Sequence, residues 1–134
     1  MVHHEQLPVR TQQRTHLIDI TRDVQAVAAK SGMRNGMVSV CSLHTTAGMT
    51  INENADPDVA RDIVWKLDQL VPRRDGYHHA EGNSDSHVKT SLVGLNVQVP
   101  LVDGRLELGT WQSIYFCEFD GPRNRRVSVI ILGE

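Results

Sequence analysis

The sequence predicts an α+β fold: an antiparallel or mixed β-sheet, sandwich-like core, with two main helices and one short helix. Three observations lead there. The last third, from Val97 onward, is a run of short apolar segments broken at Asp103-Gly104 and Asp120-Gly121, the pattern of an antiparallel meander. Two upstream stretches carry helical apolar spacing with their own start and stop residues. Neither a G-x-G-x-x-G nor a Walker sequence is present, so a doubly wound nucleotide-binding sheet has no local support. With 134 residues, 40% hydrophobic and 22% charged, residues 1–134 read as one domain able to bury a core.

Taken in order, Val9 to Ile20 reads as one or two exposed strands. Thr21 reads as the N-cap of a helix in which Val24, Val27 and Ala28 share a face, and Gly32 ends it. After a turn at Asn35-Gly36, Met37 to Leu43 is a strand. Its alternation puts Val38, Val40, Ser42 and His44 on one side. Asp56 caps a second helix, Pro57 takes its first position, and Val59, Ile63, Leu67 and Leu70 form a stripe that stops at Pro72. Trp65 lies off that stripe, as a boundary core residue or a contact to another subunit. Arg73 to Gly82 lacks apolar periodicity and reads as a loop. Ser84 or Asp85 then caps a short helix running to Gly94, and the short strands follow.

Composition removes several functions. A net charge of -2 gives no global attraction to nucleic acid or to an anionic membrane. No apolar stretch approaches the roughly 20 residues of a membrane-spanning helix, and the N-terminus does not read as a signal peptide, so a cytoplasmic location is expected. Cys41 and Cys117 form no C-x-x-C pair and read as small buried hydrophobes.

What remains is polar chemistry in three clusters. The first runs from Ser42 through His44, Thr45, Thr46 and Gly48 to Asn52, Glu53 and Asp56. The second spans Tyr77-His78-His79 and Asn83 to Lys89, including Asp85 and His87. The third, Asp120 to Arg126, adds cations. Thr45 and Thr46 leave a strand where hydroxyls and backbone N–H groups converge on phosphate oxygens, and Arg123 is a planar donor fixed by the Gly121-Pro122 corner. Arg125 reads instead as half of a solvated pair with Arg126, before an edge strand. His44, His79 and His87, with Glu53 or Asp85 nearby, are of the type that binds a divalent metal. Imidazoles favour zinc; magnesium would lean on carboxylates and a substrate phosphate. A surface or structural role for each histidine is equally compatible with the spacing. Trp111 and Gln112 form a pair able to stack on a planar ring and read its edge, or a core anchor.

Five motifs in order resemble the YjbQ-like family: S-L-H-T-T-A-G from Ser42, I-N-E-N-A-D from Ile51, G-N-S-D-S-H-V-K from Gly82, D-G-R-L-E-L-G-T-W-Q from Asp103, and D-G-P-R-N-R-R from Asp120. The resemblance implies an α+β fold assembled as a homotrimer. It also implies a secondary thiamine-phosphate synthase, which joins hydroxymethylpyrimidine diphosphate to a thiazole phosphate with release of pyrophosphate, assisted by a metal. In that reading His44, Glu53, Asp85, His87 and Arg123 are catalytic. Thr45, Thr46, Asn52, Asn83, Trp111 and Gln112 bind substrate, and His44, His79 and His87 hold the metal. Two rivals use the same residues: a non-catalytic binder of a small phosphorylated metabolite or metal, and a metal-dependent phosphate-ester hydrolase.

Overall fold

The computed structural model describes all of residues 1–134. Eight strands and three helices follow in the order β1 (Val2–Arg10), β2 (His16–Asp19), α1 (Thr21–Ser31), β3 (Gly36–Ser42), β4 (Ala47–Glu53), α2 (Pro57–Leu70), α3 (Ser84–Val93), β5 (Asn96–Val102), β6 (Arg105–Leu106), β7 (Gln112–Glu118) and β8 (Asn124–Gly133). One sheet has the order β1-β8-β3-β5-β6 and the other β2-β7-β4, and every pairing is antiparallel. The α+β expectation holds.

The core follows from strand alternation. Val38 and Val40 of β3, Val99 and Leu101 of β5, and Val127, Val129 and Ile131 of β8 meet Met49 of β4 and Ile114 and Phe116 of β7. Val24, Val27 and Ala28, the predicted face of α1, join the same cluster. The opposite face of β7 carries Tyr115 and Cys117, which with Phe119 pack against Leu17, Leu67 and Val93. β7 is therefore covered on both sides, by the large sheet and by α2 and α3. Burial pushes the Cys117 thiol up to about 12, which keeps it protonated and inert. Cys41 is only half-buried, so its predicted burial is partial.

Local starts and stops differ from expectation in instructive ways. The carboxylate of Asp19, rather than Thr21, engages the first turn of α1: its Oδ1 accepts from Thr21 N–H at 2.9 Å and from the Thr21 hydroxyl at 2.6 Å. Asp56 caps α2 as predicted, accepting from Asp58 N–H at 2.9 Å, with Pro57 first in the helix. Gly32 closes α1 with a positive φ of 71°. Neither Ser84 nor Asp85 caps α3; Asn83 holds the cap position and its side chain turns elsewhere.

Two larger corrections concern topology. The chain from Ala47 to Glu53, inside the first polar cluster, is a further strand, paired with β7. The closing strands are also not a meander: β7 crosses into the small sheet, and β8 returns to lie between β1 and β3. The β7–β8 crossing, which contains a cis Gly121–Pro122 peptide, is where the third polar cluster sits. No helix is long and apolar enough to cross a membrane.

Candidate functional site

The end of β3, the N-terminus of α3 and the β7–β8 crossing meet around an open cavity of about 630 Å³. No hydrophobic side chain lines it. All three predicted clusters contribute: His44, Thr45 and Thr46 from the first, Asn83 and His87 from the second, Arg123 from the third.

Each of these is positioned by bonds that can be traced. His44 Nε2 accepts the backbone N–H of Arg126 at 2.9 Å. That bond assigns the ring proton to Nδ1, leaving it as a donor. Partial burial, reinforced by the positive charge of Arg125, lowers the His44 pKa and favours the neutral ring. Asp120 holds the opposite wall. Its Oδ2 accepts from Asn83 Nδ2 at 2.9 Å and from Arg123 Nη2 at 3.0 Å, while its carbonyl accepts Arg123 Nε at 2.8 Å. Arg123 is thereby fixed along one edge, with Nη1 making no bond inside the protein. Burial would raise the Asp120 pKa, but the bonds from Asn83 and Arg123 outweigh it and hold the carboxyl below its ordinary range. The bond to Asp120 also settles the orientation of the Asn83 amide, whose buried Oδ1 then finds no donor in the protein.

Beneath the cavity lies a buried hub that was not foreseen. Glu118 accepts from Arg125 Nε at 2.8 Å and from Arg125 Nη2, from the Thr11 hydroxyl at 2.7 Å, and from Asp120 N–H at 3.0 Å. Arg125 Nη2 also donates to the Thr46 hydroxyl at 2.8 Å. Thr11 Oγ1 in turn accepts Arg123 N–H at 2.8 Å. One carboxylate thus fixes the loop bearing Thr46 and the crossing bearing Arg123. Burial acts against its ionisation, yet Arg125, Asp120 N–H and Thr11 hold its pKa below the ordinary range. The reading of Arg125 as solvated is corrected: it is 4% exposed, because β8 is an interior strand and its side chain meets Glu118. A glutamate inside the run Tyr115-Phe116-Cys117-Glu118-Phe119 was the available signal, since a carboxylate among such neighbours requires a cation.

Asp85 is likewise structural. It is fully buried and bonded by Arg14 at 3.2 and 3.4 Å and by Lys89 at 3.1 Å. Lys89, also buried, reaches Asp68 of α2. Burial would raise the Asp85 pKa, but Arg14 and Lys89 lower it below the ordinary range. Its expected role as a catalytic group gives way to one of anchoring α3, and so of placing Asn83 and His87.

The other predicted residues are elsewhere. Glu53 and Asn52 sit at the far end of β4, paired with Gln112 and Ser113. Seven extended residues carry the chain roughly 20 Å from Thr46, so Glu53 cannot orient His44. Trp111 is 62% exposed, and Gln112 Oε1 accepts Gly109 N–H at 2.8 Å. Neither lines the cavity. The expected metal triad is also not assembled. His44 spends Nε2 on Arg126 N–H, His79 and His87 pack edge-on with centroids 5.6 Å apart, and no three His, Cys, Asp or Glu side chains converge as metal ligands.

The family model described as "UPF0047 protein YjbQ-like" matches residues 5–134. The chain is 47% identical over 128 residues to the UPF0047 protein YugU of Bacillus subtilis, covering 95% of this chain and 97% of that protein. It is 46% identical over 126 residues to a UPF0047 protein of Methanocaldococcus jannaschii, covering 94% and 91%. Among solved structures, a YjbQ/UPF0047 protein of Clostridium acetobutylicum superposes with a TM-score of 0.94 at 50% identity, covering 96% of this chain and 99% of that one. A YbjQ-like protein of unknown function from Sulfolobus solfataricus gives a TM-score of 0.96 at 32% identity, covering 100% and 99%. These relatives overturn the expectation of thiamine-phosphate synthesis: they are described only as UPF0047 proteins or as of unknown function, and that activity is named for none of them. The geometry agrees, since Trp111 and Gln112, the pair meant to read a heterocycle, lie away from the cavity. Five ordered motifs, the strand topology and relatives matched over nearly their whole length place the chain in the UPF0047, YjbQ-like family.

Proposed function

We propose that the protein recognises a small phosphorylated metabolite in the cavity between His44, Asn83 and Arg123. One observation carries this reading: a wholly polar cavity contains a guanidinium clamped along one edge by Asp120, with Nη1 unspent. A fixed, planar donor suits phosphate oxygens because little side-chain entropy is lost on binding. Thr45 adds an exposed hydroxyl, and His44 adds an Nδ1–H donor on a neutral ring. His87, whose ring makes no bond to the protein, is the group free to move a proton. Titration calorimetry with inorganic phosphate tests the proposal. Binding by the native protein that weakens at least about tenfold in Arg123→Ala, one lost charge-assisted contact, supports it. Equal heats for the two proteins overturn it.

The reading includes a homotrimer. None of the residues of α2 is buried, and Trp65 and Leu70 are 58% and 65% exposed on a helix with an apolar stripe. Neighbouring copies would cover them, as exposed apolar helix faces commonly require. A monomer by light scattering at micromolar concentration removes this part alone.

A further inference from the structure

Arg123 lines a second cavity, of about 430 Å³, which shares Pro122, Arg123 and Asn124 with the first. Its remaining wall is Arg10, Thr11 and Gln12, the end of β1 and the two residues after it. Arg10 lies opposite Asn124 in the β1–β8 ladder, where facing Cα atoms are about 5 Å apart. Thr11 ties this stretch to Arg123. Its N–H donates to the Arg123 carbonyl at 2.9 Å, and its Oγ1 accepts the Arg123 N–H at 2.8 Å. The backbones of Arg10 and Arg123 are therefore held in a fixed relation.

The two cavities differ in charge. Asp120 and Glu81 line the first, and Asp120 compensates Arg123 there. No carboxylate lines the second, and Arg10 makes no ion pair. Arg10, Gln12 and Asn124 are exposed, and none of their side chains bonds within the protein. A lone charge on an edge strand such as β1 ordinarily discourages pairing with another sheet. The setting of Arg10 departs from that role: a second guanidinium, fixed by Thr11 and Asp120, borders the same cavity. Like charges so placed repel, and an anion between them relieves the repulsion.

We infer that the second cavity takes a second anionic group, a carboxylate or a phosphate, carried by the ligand whose phosphate occupies the first. This rests on the phosphate reading above and narrows the ligand to a phosphate ester with an acidic group at the far end of a short carbon chain. Arg123, common to both cavities, serves both groups, since its unspent Nη1 carries two N–H donors. Arg10 supplies the charge that only the second group meets, and the Gln12 and Asn124 amides add neutral donors. An ester ending in an ammonium group is disfavoured, because it brings a cation to a cavity without a carboxylate.

Calorimetry with esters that differ in the charge at their far end decides the matter: phosphoglycolate, ethylene glycol bisphosphate, ethyl phosphate and phosphoethanolamine. Salt at about 0.15 M screens charges more than roughly 8 Å away. At least one of the two acidic esters is expected to bind about fivefold more tightly than ethyl phosphate, the upper range of an exposed ion pair. The larger of the two gains identifies the group, and phosphoethanolamine is expected to bind more weakly than ethyl phosphate. In Arg10→Ala the gain is expected to disappear, and in Arg10→Glu to reverse. Arg105→Ala removes the same charge from β6, at the opposite edge of the sheet, and is expected to keep the gain. A gain below twofold for both acidic esters, one lost equally in Arg105→Ala, or one unmoved by both Arg10 substitutions overturns the inference while phosphate recognition stands. Failure of all four esters and of inorganic phosphate to bind removes both.

Discussion

The β4–β7 ladder has two ends, and each gathers a dense set of polar residues. At one end Ala47 pairs with Glu118; the Thr11 hydroxyl, Arg125 and Asp120 N–H close around that carboxylate, and Arg125 carries the Thr46 hydroxyl. At the other Glu53 pairs with Gln112, next to Asn52, Asn54 and Trp111. Asn54, itself exposed, is tied to Asp19 by an exposed bond and to the hydroxyl of the buried Tyr115 by a half-buried one, and Gln112 closes a local turn on Gly109. The first end is built on a buried ion pair with every acceptor position used; the second is a set of surface bonds. What separates a site from a polar surface here is the buried scaffold beneath it, because only that fixes the exposed groups without help from solvent.

The comparison breaks most visibly at its hub. Glu118→Ala leaves Arg125 buried without its partner, and removing one member of a buried pair costs about 3–5 kcal/mol. Thr46 and Arg123 lose their supports in the same step, so phosphate affinity is expected to fall together with stability. Glu53→Ala at the other end is expected to change stability by no more than about 0.5 kcal/mol, as surface substitutions do. Urea denaturation of both variants checks this. Equal losses at the two ends would mean that the ladder, and not the hub, stabilises the site.

The sequence displayed the polar clusters and concealed the distances between them. His44, Thr46, Asn83, His87 and Arg123 were legible because each lies at the end of a regular element, where side chains emerge together. Asn52 and Glu53 were misplaced because Ile51-Asn52-Glu53-Asn54 looks like a polar loop, while pairing with β7 stretches it into a strand pointing away. The stripe of α2 was legible as a helix face but not as an open one; Val59, Ile63 and Leu67 are only half-buried. Glu118 and Arg125 were missed as a pair because they come from strands of different sheets, which adjoin only after the chain crosses at Pro122. Local spacing reports the period of an element, and the partner across a sheet is set by topology that it does not encode.

Acid should sharpen the difference by acting on the first end in two stages. His44 has a lowered pKa in the folded protein, so below its ordinary value of 6.5 the unfolded chain binds the proton more readily. Stability therefore declines as pH falls from that value toward the lowered one, and then levels. Glu118, Asp85 and Asp120 are held below the ordinary carboxylate values of 4.5, 3.8 and 3.8. Their contributions are intact above those values and are lost as pH drops through them to the depressed folded values. Denaturation midpoints at half-unit steps from pH 7.5 to 2.5, scales set by the ordinary values of these groups, should show both declines. His44→Gln should remove the first and keep the second; an unchanged slope between about pH 6.5 and 5 in that variant would dissociate His44 from the linkage.

The smallest expected effect is at the opposite end, and it is the more discriminating for being small. Trp111 is largely exposed, and its carbonyl, not its ring, accepts Asn54 N–H at 3.1 Å. Trp111→Ala keeps that backbone bond and removes a side chain that lines none of the cavities beside His44. Stability is expected to move by about 0.5 kcal/mol or less, and phosphate affinity by less than about twofold, which is under 0.5 kcal/mol. A tenfold loss of phosphate binding with the fold intact would instead draw the far end of the ladder into the site. Since a strand of seven residues separates the two ends, such a loss would require a second copy of the chain to bring its own Trp111 to the first copy's cavity.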